Sequence, residues 1–450
     1  MMFAPTARMS AISSVRKLVS AVAIGAALVA ATGLNPREAE AATKIQRVIS
    51  PGGIEAWLVE EHSVPLITMS FAFRGGNSQD PSGKEGVANL MTALFDEGAA
   101  DLDGQTFQAK EEELSMHMSF NQERDSFYGE VKALTENRDA TFELVAKAIS
   151  QPRFTDDAVS RMKAEIATQL RGEEQSPDAI AGRAWAKIAF PNHVYGRASD
   201  GTTESLKTLT RTDVLDYYKR IFARDGLKIG VVGDIDAKTL GPILDRIFGG
   251  LPAKQSLTPV PDATVRSGLA RVDYETPQTV IRFGLPGPKR TDPDFQATYL
   301  MNHILGGGGF SARLYREVRE KRGLAYTVDT ELIPYKHAGI FAGGVGTRGE
   351  KAQESLDIIK REIKRMADDG PTQAELDEAK AYVTGSYGLR FDTSEKIAGQ
   401  LIAVQMDSLG IDYFDRRNAE IQAVTLDQVK AAAKKYLSGE MSVSIVGPKS

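Results

Sequence analysis

The chain has 450 residues, with 55 Lys+Arg against 60 Asp+Glu, a formal charge of −5 and a 42% apolar composition. That makeup is too apolar for disorder and too charged for a membrane bundle, and the length suits two or three domains. The acidic balance argues against a nucleic-acid-binding face. The absence of cysteine excludes disulfides, thiolate metal sites and thiol nucleophiles, and leaves five histidines, His62, His117, His193, His303 and His337, as nitrogen ligands.

At the N-terminus, Arg8, Arg16 and Lys17 precede an apolar run from Leu18 to Ala31, and Ala39-Glu40-Ala41 offers a small-x-small cleavage pattern. Residues 1–41 therefore read as an export signal, the apolar run being shorter than the ~20 residues of a membrane span. Its removal leaves a more acidic chain, because it carries Arg8, Arg16, Lys17 and Arg37 against Glu38 and Glu40. The expected location is outside the cytoplasm, in the periplasm if the source is bacterial.

The remainder repeats itself once. Pro65 and Phe71 return as Pro277 and Phe283, Asp80-Pro81 as Asp292-Pro293, and Leu90-Met91 as Leu300-Met301. Thr155 and Lys163 return as Thr372 and Lys380, and Val231-Val232-Gly233 as Ile445-Val446-Gly447. Five matches in order, with offsets drifting by a few residues, are the mark of a duplicated domain with small loop insertions. The division is residues 42–250 and 269–450, joined by a linker at 251–268 that holds Pro252, Pro259 and Pro261. Strand-like stretches (66–73, 227–232, 280–283, 442–446) alternate with helical ones (158–171, 354–367, 376–388). The fold class is α+β: two homologous domains, each a mostly antiparallel sheet with helices packed on one face.

Three stretches then carry a resemblance. The first is Arg74-Gly75-Gly76-Asn77-Ser78 followed by Asp80-Pro81-x-Gly83-Lys84-x-Gly86-Val87-Ala88. The second runs from Pro191-Asn192-His193-Val194-Tyr195-Gly196 through Gly201-Thr202 and Glu204-Ser205-Leu206 to Tyr217-Tyr218. The third joins the Gly306–Gly309 run and Ser311-Ala312-Arg313-Leu314-Tyr315 to Arg322-Gly323-Leu324-Ala325-Tyr326. In these the chain resembles the pitrilysin/insulinase family of zinc peptidases, in its two-domain subfamily.

The resemblance implies a helix bearing H-x-x-E-H: two imidazoles one turn apart bind zinc, and the glutamate acts as base. Here Asn89 stands at the first histidine, Thr92 at the glutamate and Ala93 at the second histidine. Leu170 falls at the later glutamate ligand. An amide is a poor zinc ligand, and alanine and leucine have no donor. No two histidines lie three to five residues apart. No metal or other cofactor is therefore expected in this chain.

What persists is the C-terminal half-site. Arg319 and Tyr326 match the family's Arg/Tyr pair, whose donors hold a peptide carbonyl and stabilise the oxyanion. Gly306, Gly307, Gly308 and Gly309 lie where a metal-free subunit of the mitochondrial processing peptidase has a substrate-contacting loop; a flexible helix connection is the plainer reading. Arg316, Lys321 and Arg322 read as solvated charges, as do the acidic runs 111–113 and 173–174. The resemblance thus implies a non-catalytic subunit of an exported heterodimeric peptidase, with zinc on a homologous H-x-x-E-H partner and peptides as substrate. The alternative is a metal-free scaffold or peptide-binding protein.

Overall fold

The computed structural model describes residues 44–449, so the export-signal segment lies outside the described residues. The N-terminal lobe holds β1 (Ile45–Ile49), β2 (Glu55–Glu60), β3 (Leu66–Arg74), a two-residue hairpin β4–β5 (Gly98–Ala99, Leu102–Asp103), β6 (His117–Gln122), β7 (Ser126–Leu134) and β8 (Leu227–Gly233). The C-terminal lobe holds β9 (Gly268–Asp273), β10 (Gln278–Pro286), β11 (Ala325–Pro334), β12 (Gly339–Arg348) and β13 (Ser442–Gly447). The sheets run β1-β2-β8-β3-β7-β6 and β11-β12-β10-β13-β9. Read from β2 and from β9, the two orders coincide, and in both the first pair is parallel and the rest antiparallel. The duplication legible in the sequence is thus a duplication of topology.

The repeated residues do repeated work. Phe71 on β3 lies opposite Gly129 on β7, and Phe283 on β10 opposite Gly343 on β12. A Cβ on either glycine would come within 2.2 and 2.4 Å of the facing ring, so each lobe buries one phenylalanine over a strand glycine that leaves room for it. The first lobe's helices are α1 (Val87–Thr92), α2 (Gly104–Glu113), α3 (Arg138–Ser150), α4 (Asp156–Glu174), α5 (Pro177–Ala189), α6 (Thr203–Thr208), α7 (Arg211–Ile221) and α8 (Ala237–Phe248). The second lobe's are α9 (Phe295–Asn302), α10 (Ala352–Asp369), α11 (Gln373–Gly385), α12 (Ser394–Met406), α13 (Tyr413–Ala423) and α14 (Leu426–Leu437). Thr155 and Thr372 cap α4 and α11 by accepting N–H bonds from Ala158 and Glu375. Eight residues past each cap, just over two turns on, Lys163 donates to the carbonyls of Lys207 and Leu209 at the end of α6, and Lys380 to that of Gln422 at the end of α13. A cation on the last carbonyls satisfies groups a helix end leaves open.

Each lobe has its own core on the helical face of its sheet. The opposite face is covered by a helix of the other lobe: α5 lies on β9, β10 and β13, and α12 on β3 and β8. Trp185 of α5 packs where Gly284 has no Cβ and donates to Ser442 O (3.2 Å); Gln405 of α12 donates to Ile229 O (2.9 Å). This reciprocal exchange makes one compact unit of the two lobes. Residues 251–267 form no helix or strand, but they are strapped down, Gln255 donating to Arg74 O and Ile221 O. Among the described residues no helix is long and apolar enough to cross a membrane.

Candidate functional site

Helix α1 begins after Gly86, whose φ of 95° and close approach to Asp200 and Gly201 leave no space for a side chain. Asp80 accepts the N–H groups of Gly86 and Ala88, and Ser205 donates to Glu85 O. Arg197 donates to Asp80 O, and Tyr217 to Gly76 O. The first and second motif stretches are therefore one hydrogen-bonded shell around the start of α1. Burial pushes the Asp80 carboxyl up to about 8, against the two backbone donors that favour its charge.

Asn89, Thr92 and Ala93 follow on one half-exposed face of α1, being three and four residues apart. Each has a structural role. Asn89 donates to Asp200 O (3.3 Å), Thr92 donates back to Asn89 O (2.7 Å), and Ala93 caps the helix. Leu170, on α4, is 3% exposed and part of the hydrophobic core.

The histidines are dispersed. His62 bonds Asp234, His193 accepts from Tyr195 N, His337 meets Asp262, and His303 stacks on Tyr382. No group of three or more acidic or imidazole side chains among the described residues is placed to hold a metal ion. The acidic runs divide: Glu112 and Glu113 are exposed, whereas Glu111 is half-buried and pushed up to about 7 by burial and by Asp96.

On the C-terminal lobe, His303–Gly307 and Tyr315–Glu320 are both wound as π-helix, a geometry that collects at functional sites. At the end of the first, Gly306, Gly307 and Gly308 are held against the protein itself. A Cβ there would come within 2.3 Å of Thr330, 2.6 Å of Asn302 and 2.6 Å of His303 O respectively. Only Gly309 is open, in the left-handed region at φ 59°. Phe310 then projects into solvent, 74% exposed.

The cations of this segment are sorted by partner. Arg313 makes a two-pronged bond to Glu375, and Arg316 lies 3.7 Å from the same carboxylate. Lys321 and Arg322 both pair with Glu317, holding its carboxyl down to about 2. Arg316, Lys321 and Arg322 are exposed, as solvated charges are, and each also lies beside a carboxylate. Arg319 alone among these has no carboxylate partner among the described residues. Its guanidinium lies over the Tyr326 ring (4.5 Å) and the Tyr315 ring (5.0 Å). Gly323, in the left-handed conformation, donates to Arg319 O and turns the chain into β11, where Tyr326 is 76% exposed. The resemblance pointed to Arg319 and Tyr326, which the structure brings side by side; the support from Tyr315 and the exposure of Phe310 needed the π-helical winding, which leaves no mark in residue periodicity.

Two family models match the chain: insulinase (peptidase family M16) over residues 57–202, and peptidase M16 inactive domain over residues 208–383. The chain belongs to peptidase family M16. A similar structure is the peptidase M16 inactive domain from Pseudomonas fluorescens, with a TM-score of 0.85 and 29% identity, covering 90% of this chain and 98% of that one. A protease from Helicobacter pylori shares the fold at a TM-score of 0.82 and 17% identity, over 90% of this chain and 100% of that one. Among curated relatives, the non-peptidase homolog YmxG of Helicobacter pylori is 24% identical over 87% of this chain and 91% of its own. An uncharacterized zinc protease of Streptomyces coelicolor is 23% identical over 90% of each.

Within M16, the residues at this chain's metal positions do not fit zinc. One amide is already bonded, one hydroxyl closes on its own helix, and the alanine and leucine offer no donor. The chain is an inactive M16 member, and among the described residues it carries no catalytic zinc site.

Proposed function

We propose that this chain is the non-catalytic subunit of an exported heterodimeric M16 zinc peptidase. It supplies Arg319 and Tyr326 to a cavity whose metal is held by a homologous H-x-x-E-H subunit. The observation that carries this is the contrast within residues 313–322: every other cation is tied to a carboxylate, while Arg319 is braced by two aromatic rings with its donors uncommitted.

A planar fork of N–H donors beside an exposed phenol suits a peptide carbonyl, whose oxygen gains negative charge as the bond is attacked. The partner's H-x-x-E-H helix would hold zinc, which would supply carbonyl polarisation and an activated water. This chain's residues bind and orient the peptide backbone and stabilise that charge. The aromatic bracing holds the guanidinium without neutralising it. Export rests on the reading of residues 1–41.

The test is peptide hydrolysis by this chain alone, by its zinc-bearing homologue alone, and by the two mixed. The proposal expects activity only, or far more strongly, in the mixture. Full activity of the homologue alone would contradict it.

A further inference from the structure

Arg313 and Arg417 are both buried, and they differ in their company. Arg313 (5% exposed) is met by both oxygens of Glu375. Arg417 on α13 (6% exposed) lies over the Tyr387 ring (3.8 Å) and donates to Val383 O and to the Asn418 side-chain oxygen. It has no carboxylate partner among the described residues. A ring face and neutral oxygens steady a guanidinium without cancelling its charge, and a buried charge is ordinarily matched by an opposite one.

Arg417 lines a cavity of about 220 Å³ where the start of α9, the tight turn Ser386–Phe391, α12 and α13 meet. Arg290 and Arg390 line it too, and Asp407 is the one carboxylate beside them. Arg290 is held in place: it donates to the Tyr413 hydroxyl (2.6 Å), lies over the Phe295 ring and stands 3.6 Å from Asp407. Arg390 is exposed, again without a carboxylate partner among the described residues. Three guanidiniums against one carboxylate leave the lining with an excess of positive charge.

A second observation comes from the same walls. Tyr387 is 9% exposed, and its hydroxyl has no hydrogen-bond partner among the described residues, although a buried phenol usually finds one. The groups acting on that hydroxyl are Arg417, Tyr413, Arg390 and Arg290, all of which line the cavity with it. Burial pushes the phenol up from its ordinary range, so it keeps its proton and is available to donate.

We propose that this cavity binds a compact oxyanion, a phosphate or carboxylate group, between the guanidiniums of Arg290, Arg390 and Arg417 and the hydroxyl of Tyr387. Planar N–H forks and a phenol donor supply the bonds such a group accepts, and a dianion balances three guanidiniums against Asp407. The site is independent of the roles assigned to Arg319 and Tyr326.

The probes are inorganic phosphate and succinate, titrated calorimetrically into the full chain at pH ~7, where phosphate is largely dianionic, with chloride at equal ionic strength as the reference. At least one of the two is expected to bind with a Kd of about 1 mM or tighter. Phosphate alone assigns a phosphate-bearing ligand, succinate alone a carboxylate-bearing one. Arg390→Gln should weaken binding about ten-fold; Arg390 is exposed, so the fold does not rest on it. Asp407→Asn, which removes the like charge, should tighten binding about five-fold. Tyr387→Phe separates a ligand site from plain packing: it should raise the thermal midpoint of the free chain, by removing an unpartnered buried hydroxyl, and yet weaken the anion about five-fold. Affinities weaker than about 10 mM for both anions, or binding that neither Arg390→Gln nor Tyr387→Phe changes, would overturn the proposal.

Discussion

Around α1 of the N-terminal lobe the polar side chains are committed to the fold: Asn89, Thr92, Asp80, Arg197 and Tyr217 each close a hydrogen bond within the lobe. Around the π-helical segments of the C-terminal lobe, Arg319 lies over the Tyr315 and Tyr326 rings with no carboxylate partner among the described residues, and Tyr326 is 76% exposed. The two regions derive from one duplicated domain with the same strand order. The difference teaches that an M16 half-site can lose its chemistry while its supporting shell stays, because that shell also positions a core helix. The half with donors free of carboxylate partners among the described residues is the half to which the proposed function assigns the substrate.

The largest effect should come from reinstating a metal-type carboxylate. Leu170→Glu places a charge in the first lobe's core without a partner and should cost at least about 4 kcal/mol of stability in urea denaturation. A near-neutral result would mean that this position still opens to solvent. Second is a pH effect confined to the same shell. The Asp80 carboxyl titrates near 8 in the folded chain, above its ordinary value of 3.8. Its contribution is therefore complete below pH ~4 and is lost as the pH rises toward 8, by up to about 1.4 kcal/mol per pH unit. Urea midpoints should fall across that window, and Asp80→Asn should flatten the fall.

Two further substitutions ask whether the repeats are energetically as well as topologically matched. Gly129→Val and Gly343→Val force a side chain into Phe71 and Phe283 and should each cost about 1–3 kcal/mol. A large cost in one lobe alone would break the equivalence. The smallest effect belongs to the repeated lysines. Lys163→Met and Lys380→Met each remove a bond to a helix-end carbonyl and should cost about 1 kcal/mol, seen as similar shifts in thermal midpoint.

The duplication was legible because Phe71 and Phe283, Thr155 and Thr372, and Lys163 and Lys380 each serve a local rule that leaves a residue-level mark: a ring over a glycine, an N-cap, a helix-end cation. The empty metal site was legible for the same reason, since Asn89, Thr92, Ala93 and Leu170 occupy positions whose chemistry is fixed by ligand type. Three things were not. The exchange of α5 and α12 between lobes depends on Trp185 meeting Gly284 and Leu401 meeting Gly230, contacts across 99 and 171 residues of chain. The Glu317–Lys321 pair has ordinary i,i+4 helical spacing, but Arg322 reaches the same carboxylate from five residues on and Arg316 meets Glu375 across the fold, which helical spacing does not foretell. The glycine run looked open to a ligand, yet Gly306 to Gly308 make their close approach to Thr330, Asn302 and His303.

The most direct test is the rate of peptide hydrolysis at fixed zinc-bearing homologue as this chain is added, as wild type and as Arg319→Ala or Tyr326→Phe. The account predicts a saturable rise with wild type, and a plateau lowered about 100-fold by Arg319→Ala while the two subunits still associate. Superimposable curves for wild type and both variants would contradict it.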